Sequence, residues 1–151
     1  KKETPDKKIK YNSKILHQSK LINYFNGDYA KSKIEEDLNK FLKKIKKDKK
    51  YFLSKKDVIF LEALKSDGIK ISKKYQNLYK VNKSEMPSDI QRMIDNNEIG
   101  AALLRIIEVI GPEKIEDIDD DTVYFIINTL NQLNTDLIRN KLLLKVLPLK
   151  V

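Results

Sequence analysis

Apolar residues recur along this chain at helical intervals, in short segments separated by Gly, Pro, Asn and Asp. The first is Ile15, Leu21, Ile22 and Phe25, which predicts a helix over residues 12–25, stopped at Asn26-Gly27. Ile34, Leu38, Phe41, Leu42 and Ile45 follow at i, i+4, i+7, i+8 and i+11, a single apolar stripe. Ser32 and Glu35 stand three apart at its start, the spacing of a capping box. Ser54 and Asp57 repeat that spacing, with Leu53 and Val58 placed as a hydrophobic staple. The predicted helix then runs through Phe60, Leu61 and Leu64 to a stop at Asp67-Gly68. Ile69 and Ile71 read as an extended link, and Ser72 as the cap of a short helix bearing Tyr75, Leu78 and Tyr79.

The second half is richer in apolar residues. Pro87-Ser88-Asp89 opens a short helix with Ile90, Met93 and Ile94, which Asn96-Asn97 breaks. From Glu98 to Ile110 apolar side chains occupy more than half of the helical circumference, so this segment is expected at the centre of the fold. Gly111-Pro112 ends it. A helix over about 122–133 carries Val123, Ile126, Ile127 and Leu130, and a last one carries Leu137, Ile138, Leu142, Leu144 and Val146 up to Pro148. No stretch alternates over the length a strand needs. The fold class is therefore all-α: antiparallel helical hairpins packed as an irregular bundle or a short α-solenoid.

Charge divides the chain. Of 31 basic and 22 acidic residues, residues 1–86 hold 24 and 11, a net of +13, and residues 87–151 hold 7 and 11, a net of −4, which together give +9. The expected organisation is a flexible basic lead-in (1–10), a lysine-rich helical region (11–83) and an apolar helical core region (84–151). All basic residues of the first 86 are lysines; the arginines are Arg92, Arg105 and Arg139. A lysine-rich face implies an anionic partner. Lysine, however, meets phosphate as a point charge, without the guanidinium fork that reads phosphates and base edges. Abundant Lys, Ile and Asn also fit AT-rich codons and a bacterial origin.

Chemistry finds little material. With no cysteine, thiol catalysis, disulfides and Cys-based zinc sites are excluded. His17 is the one histidine and reads as a packed or solvated residue. Four scattered glycines form no phosphate-binding or nucleophile-elbow motif. Asp117, Asp119 and Asp121 match the opening of a calcium loop, but Thr122 stands where that loop needs Gly and Asn128 where it needs Glu. Asp119 to Asp121 read instead as the cap and favourable first-turn charges of the next helix. Paired carboxylates such as Glu35/Glu36 and Glu108/Glu113 read as helix surface. Six of the seven tyrosines lie in the basic half, where they could stack on bases but equally fit core and rim packing.

The function expected from these residues is that of a non-enzymatic protein-interaction or scaffold domain, a segment of a larger chain whose first residue is not Met. Its partner would be another protein or another part of the parent chain. The alternative is a nucleic-acid-binding module. The residues expected on the partner face are Lys43, Lys46, Lys47, Lys50, Lys55 and Lys56, with Tyr51 and Tyr75. No catalytic residue, metal or cofactor is assigned. No apolar run is long enough to span a bilayer, and a soluble cytoplasmic or periplasmic location is expected.

Overall fold

A computed structural model describes residues 8–78, 87–111 and 114–151. The chain is mostly helical, with one small sheet among the described residues. After strand β1 (Ile9–Lys10) come two 3-10 segments, Leu16–Gln18 and Lys20–Asn26. Helices α1 (Lys31–Lys47) and α2 (Lys55–Ser66) follow, then a 3-10 segment Lys73–Leu78. The second half holds α3 (Ser88–Asp95), α4 (Ile99–Ile110), a 3-10 turn Ile115–Asp117, α5 (Asp120–Gln132), α6 (Asp136–Val146) and β2 (Leu149–Lys150).

The punctuation read from sequence falls where the backbone turns. Gly27, Gly68 and Gly111 take positive φ at the ends of helical segments, and Asn97 and Asn134 do the same at the two Asn breaks. The Ser54 box is formed in both directions: the Ser54 hydroxyl accepts from the Asp57 N–H, and the Asp57 carboxylate accepts from the Ser54 N–H.

Several expectations are corrected. The helix expected over 12–25 is a pair of 3-10 segments, interrupted at buried Ser19, whose hydroxyl donates to the Leu16 carbonyl at 2.7 Å and so favours the tighter turn. The Ser32–Glu35 box does not form. Helix α1 starts two residues earlier, with Ala30 at the N-cap, and Glu35 turns outward to accept the Lys70 backbone N–H at 2.9 Å. Beside it Asn39 donates to the Lys70 carbonyl (3.3 Å) and accepts from the Ser72 N–H (3.3 Å). The extended link after α2 thus satisfies its backbone groups on side chains of α1 instead of a neighbouring strand. The segment from Ser72 is 3-10, and Tyr79 and the expected boundary between residues 83 and 84 lie outside the described residues.

The expectation of no strand is also corrected. Ile9 and Lys10 pair antiparallel with Lys150 and Leu149, and Lys8 and Val151 exchange both backbone hydrogen bonds. The end of the stretch expected as a lead-in is therefore tied to the C-terminal residues. Two-residue strands leave no alternating signature in a sequence.

The centre of the fold is α2, not α4. Seven of its residues, Asp57 to Leu61 together with Ala63 and Leu64, are buried. It is wrapped by Leu16–Gln18 and chiefly by α5. Ile126, Ile127 and Leu130 of α5 join Phe60, Leu61 and Leu64 in one core with Ile34, Leu38 and Leu42 of α1. By contrast α4 packs mainly on α3, buries Ala102 and Ile106, and leaves Leu104 and Ile107 each 63% exposed. Its apolar circumference is wider than the single face the fold covers.

Among the described residues no helix is long and apolar enough to cross a membrane.

Candidate functional site

At the edge of the α1 stripe that packs on the core, Phe41 sits half-buried, flanked by Lys40 and Lys44. Across from it run the loop and 3-10 segments of residues 11–21. Between them lie two adjoining depressions, of 540 and 310 Å3, that meet at Ser13, Phe41 and Lys44. Leu21 and Ile45 complete an apolar floor, while Lys14, Lys20, Lys40 and Lys44 stand around it. Two carboxylates share the rim, and both have local partners: Asp37 pairs with Lys33 (3.4 Å), and Asp48 accepts the Lys50 backbone N–H (3.0 Å). Lys40 is paired with Glu36 at 2.9 Å. Among the described residues Lys14, Lys20 and Lys44 make no ion pair. The groove therefore joins an oily floor to three ammonium groups that make no ion pair among the described residues, with the Asp48 carboxylate on the same rim.

The lysines singled out from sequence do not form one face. Lys43, Lys47 and Lys50 are exposed but line neither depression. Lys46 reaches the Lys74 carbonyl (3.4 Å) and stands 6.0 Å from the centroid of the Tyr75 ring. Lys55 and Lys56 bind the acidic start of α5: Lys55 meets Asp121 at 2.7 Å and lies 5.1 Å over the Tyr124 ring, and Lys56 meets Asp120 at 3.9 Å. These two lysines bridge α2 to the start of α5. Tyr75 is 2% exposed and so presents no free face to a base. Tyr51 does line the smaller depression, but its hydroxyl is committed to the interior.

That interior commitment is a polar cluster built on Asp57. One carboxylate oxygen accepts the His17 backbone N–H (3.1 Å) and lies 2.5 Å from His17 Nδ1. The other accepts the Tyr51 hydroxyl and the Ser54 N–H, both at 3.0 Å. The Leu16 N–H donates to the same Tyr51 oxygen at 3.1 Å. Burial pushes the Asp57 carboxyl up, but the His17 contact and the backbone donors outweigh it and hold the group below its ordinary value. Burial raises the Tyr51 phenol. His17 and Asp57 are both buried, and none of the cavities described here is lined by His17. The arrangement joins the 3-10 segments to the start of α2.

A second polar cluster ties α6 to the end of α2. Arg139 is fully buried, donating to Asp67 (2.8 Å), to Asn131 (3.2 Å) and twice to the Asn140 side-chain oxygen. The Tyr24 hydroxyl also donates to Asp67 at 2.8 Å, and burial, reinforced by that hydrogen bond, pushes the phenol up. The Arg139 guanidinium stands 5.9 Å over the Phe25 ring.

The three aspartates that resemble a calcium loop have separate duties. Asp119 caps α5 through the Thr122 N–H and hydroxyl, which lower its pKa; Asp121 faces Lys55; Asp117 ends a 3-10 turn. Among the described residues no three His, Asp or Glu side chains converge on a metal position.

Of the residues that make the groove, sequence reasoning singled out Tyr51 but none of the lysines. Their available signal was local: Lys40 and Lys44, four apart, bracket an aromatic at the edge of the α1 stripe. Lys14 and Lys20 reach the groove only through the tertiary fold. What the fold defines is a class, an all-α domain with a small terminal sheet. No protein-family model matches the chain, and no curated protein and no solved structure matches it significantly.

Proposed function

We propose that this chain is a helical protein-interaction domain, binding and not catalytic, and that it holds an acidic segment of a partner protein in the groove along α1. The observation that carries the reading is the pairing of an apolar floor at Phe41 with Lys14, Lys20 and Lys44, whose charges have no partner among the described residues. A peptide with an apolar anchor between carboxylates matches both parts. The neighbouring helices are read as successive pairs in an irregular bundle, supported by the packing of α3 on α4 and α5 on α6. A single-stranded nucleic acid would use the same lysines. The groove supplies it no guanidinium, and Tyr75 is buried.

The test is fluorescence polarisation with a short labelled Glu/Asp peptide bearing one central Phe, against the same peptide with Ser in place of Phe and against labelled oligo-dT. The reading expects the Phe peptide to bind at least fivefold more tightly than the Ser peptide, and more tightly than oligo-dT. Equal binding of the two peptides would mean charge alone. Tighter binding of oligo-dT, with log K falling by roughly 0.7 per phosphate contact against log salt, would establish the nucleic-acid reading instead.

A further inference from the structure

Helix α1 ends in charge: residues 43–50 hold six lysines and a single acid, Asp48. The last turn of a helix favours cations, which accounts for Lys44, Lys46 and Lys47. It does not account for Lys49 and Lys50. These stand beyond the helix, at the two central positions of a turn closed by the Tyr51 N–H on the Asp48 carbonyl (3.2 Å). Lys43, Lys47, Lys49 and Lys50 are exposed and make no ion pair among the described residues. Two residues on, Phe52 is 85% exposed, while Tyr51 and Leu53 on either side of it pack against the core. A lone apolar side chain on a surface is ordinary. A phenyl ring standing clear beside four unpaired ammonium groups is a double signal, one part suited to an apolar medium and one to an anionic one. An anionic bilayer presents both in adjacent layers.

We propose that the loop between α1 and α2 is a membrane-surface contact, with Phe52 entering the headgroup–acyl boundary of an anionic bilayer and Lys43, Lys47, Lys49 and Lys50 lying against its phosphates. A diffuse negative surface potential needs only point charges, which lysine supplies without a guanidinium fork. Nor does a bilayer need walls. None of the cavities described here is lined by Phe52, so a rigid partner finds no pocket beside the ring, whereas lipid closes around it. A single-stranded nucleic acid gains most from several rings on which successive bases stack. Here the neighbouring aromatic, Tyr51, is turned inward with its hydroxyl on Asp57. One ring and four charges make a reversible, salt-sensitive contact. Phe52 and these four lysines line neither depression of the groove, so the contact is independent of peptide binding there.

The chain has no tryptophan, so Phe52→Trp places a single indole at the proposed depth. With vesicles of mixed phosphatidylcholine and phosphatidylglycerol its emission is expected to move to shorter wavelength and to be quenched by brominated acyl chains. Vesicles of phosphatidylcholine alone should do neither. Vesicle co-sedimentation of the parent chain and two further variants separates the two signals. Phe52→Ser is expected to weaken partition onto the mixed vesicles at least fivefold. Lys49→Gln/Lys50→Gln is expected to weaken it at least tenfold, from about fivefold per lysine at an anionic surface. All three positions lie outside helices, so helical circular dichroism should be unchanged. Unshifted emission with the mixed vesicles, equal partition onto both vesicle types, or unchanged partition in either variant would overturn the proposal. Oligo-dT that moves the indole emission where mixed vesicles do not would assign the loop to nucleic acid instead.

Discussion

Asp57 shows how much one side chain organises. It closes the α2 capping box, meets His17 through ring and backbone, and takes the Tyr51 hydroxyl, so its loss strands several buried donors at once. Asp57→Ala is expected to cost about 3–5 kcal/mol, the range for removing one member of a buried charged network, as read by urea denaturation. The carboxyl is held below its ordinary pKa in the fold. Its stabilising contribution is therefore full above the unfolded-state value and disappears as pH falls through the lower folded one. Stability measured against pH on the acid side should fall less steeply in Asp57→Asn than in the parent chain; equal slopes would assign the acid loss elsewhere. Sequence gave half of this residue. The Ser54–Asp57 spacing announces a cap, whereas the partnership with His17 spans 40 positions and has no local mark.

At the scale of elements, polar side chains do much of the joining. Glu35 and Asn39 of α1 serve as the hydrogen-bonding edge for the link at Lys70 and Ser72, and Arg139 fixes α6 to the end of α2. The two ends of the Arg139–Asp67 pair are not equivalent. Asp67→Ala leaves a buried guanidinium with only the exposed Asp136, at 3.7 Å, as counter-charge and should cost about 3–5 kcal/mol, whereas Arg139→Met exchanges it for apolar volume and should cost much less. Thermal melts of the two variants check the order; a costlier Arg139→Met would show that the guanidinium contributes more by packing on Phe25 and bonding Asn140 than by its charge. Asn39→Ala should lower stability by about 1–2 kcal/mol, with amide exchange at Ser72 rising first. Helix positions and stops were legible because periodicity, Asn and Gly are local signals. The 3-10 form of 16–26 was not, since the same apolar spacing serves either helix and Ser19 decides between them from inside the core. Nor was the rank of the helices. Apolar content alone puts α4 at the centre, but position among neighbours gives that place to α2, and the surplus apolar side of α4 faces outward.

For the whole molecule, the charge excess of the first half has two destinations. Some lysines work inside the architecture, as Lys55 and Lys56 do against the acidic start of α5. Others gather around the apolar floor at Phe41, and Lys43, Lys47 and Lys50 remain on open surface. The sequence shows the excess of ammonium groups in the first half; which of them share a concavity depends on how residues 11–21 lie across α1. Binding of the Glu/Asp peptide should weaken with salt only until its apolar anchor dominates, leaving a residual affinity that fluorescence polarisation detects and that the Ser-substituted peptide lacks.

The most direct measurement compares two triple variants with identical change in charge, Lys14→Glu/Lys20→Glu/Lys44→Glu in the groove and Lys43→Glu/Lys47→Glu/Lys50→Glu outside it. Peptide affinity is expected to drop at least tenfold in the first and less than threefold in the second, with both proteins retaining their helical circular dichroism. Equal losses in the two would mean that net charge, not this groove, governs what the domain holds, and would contradict the account.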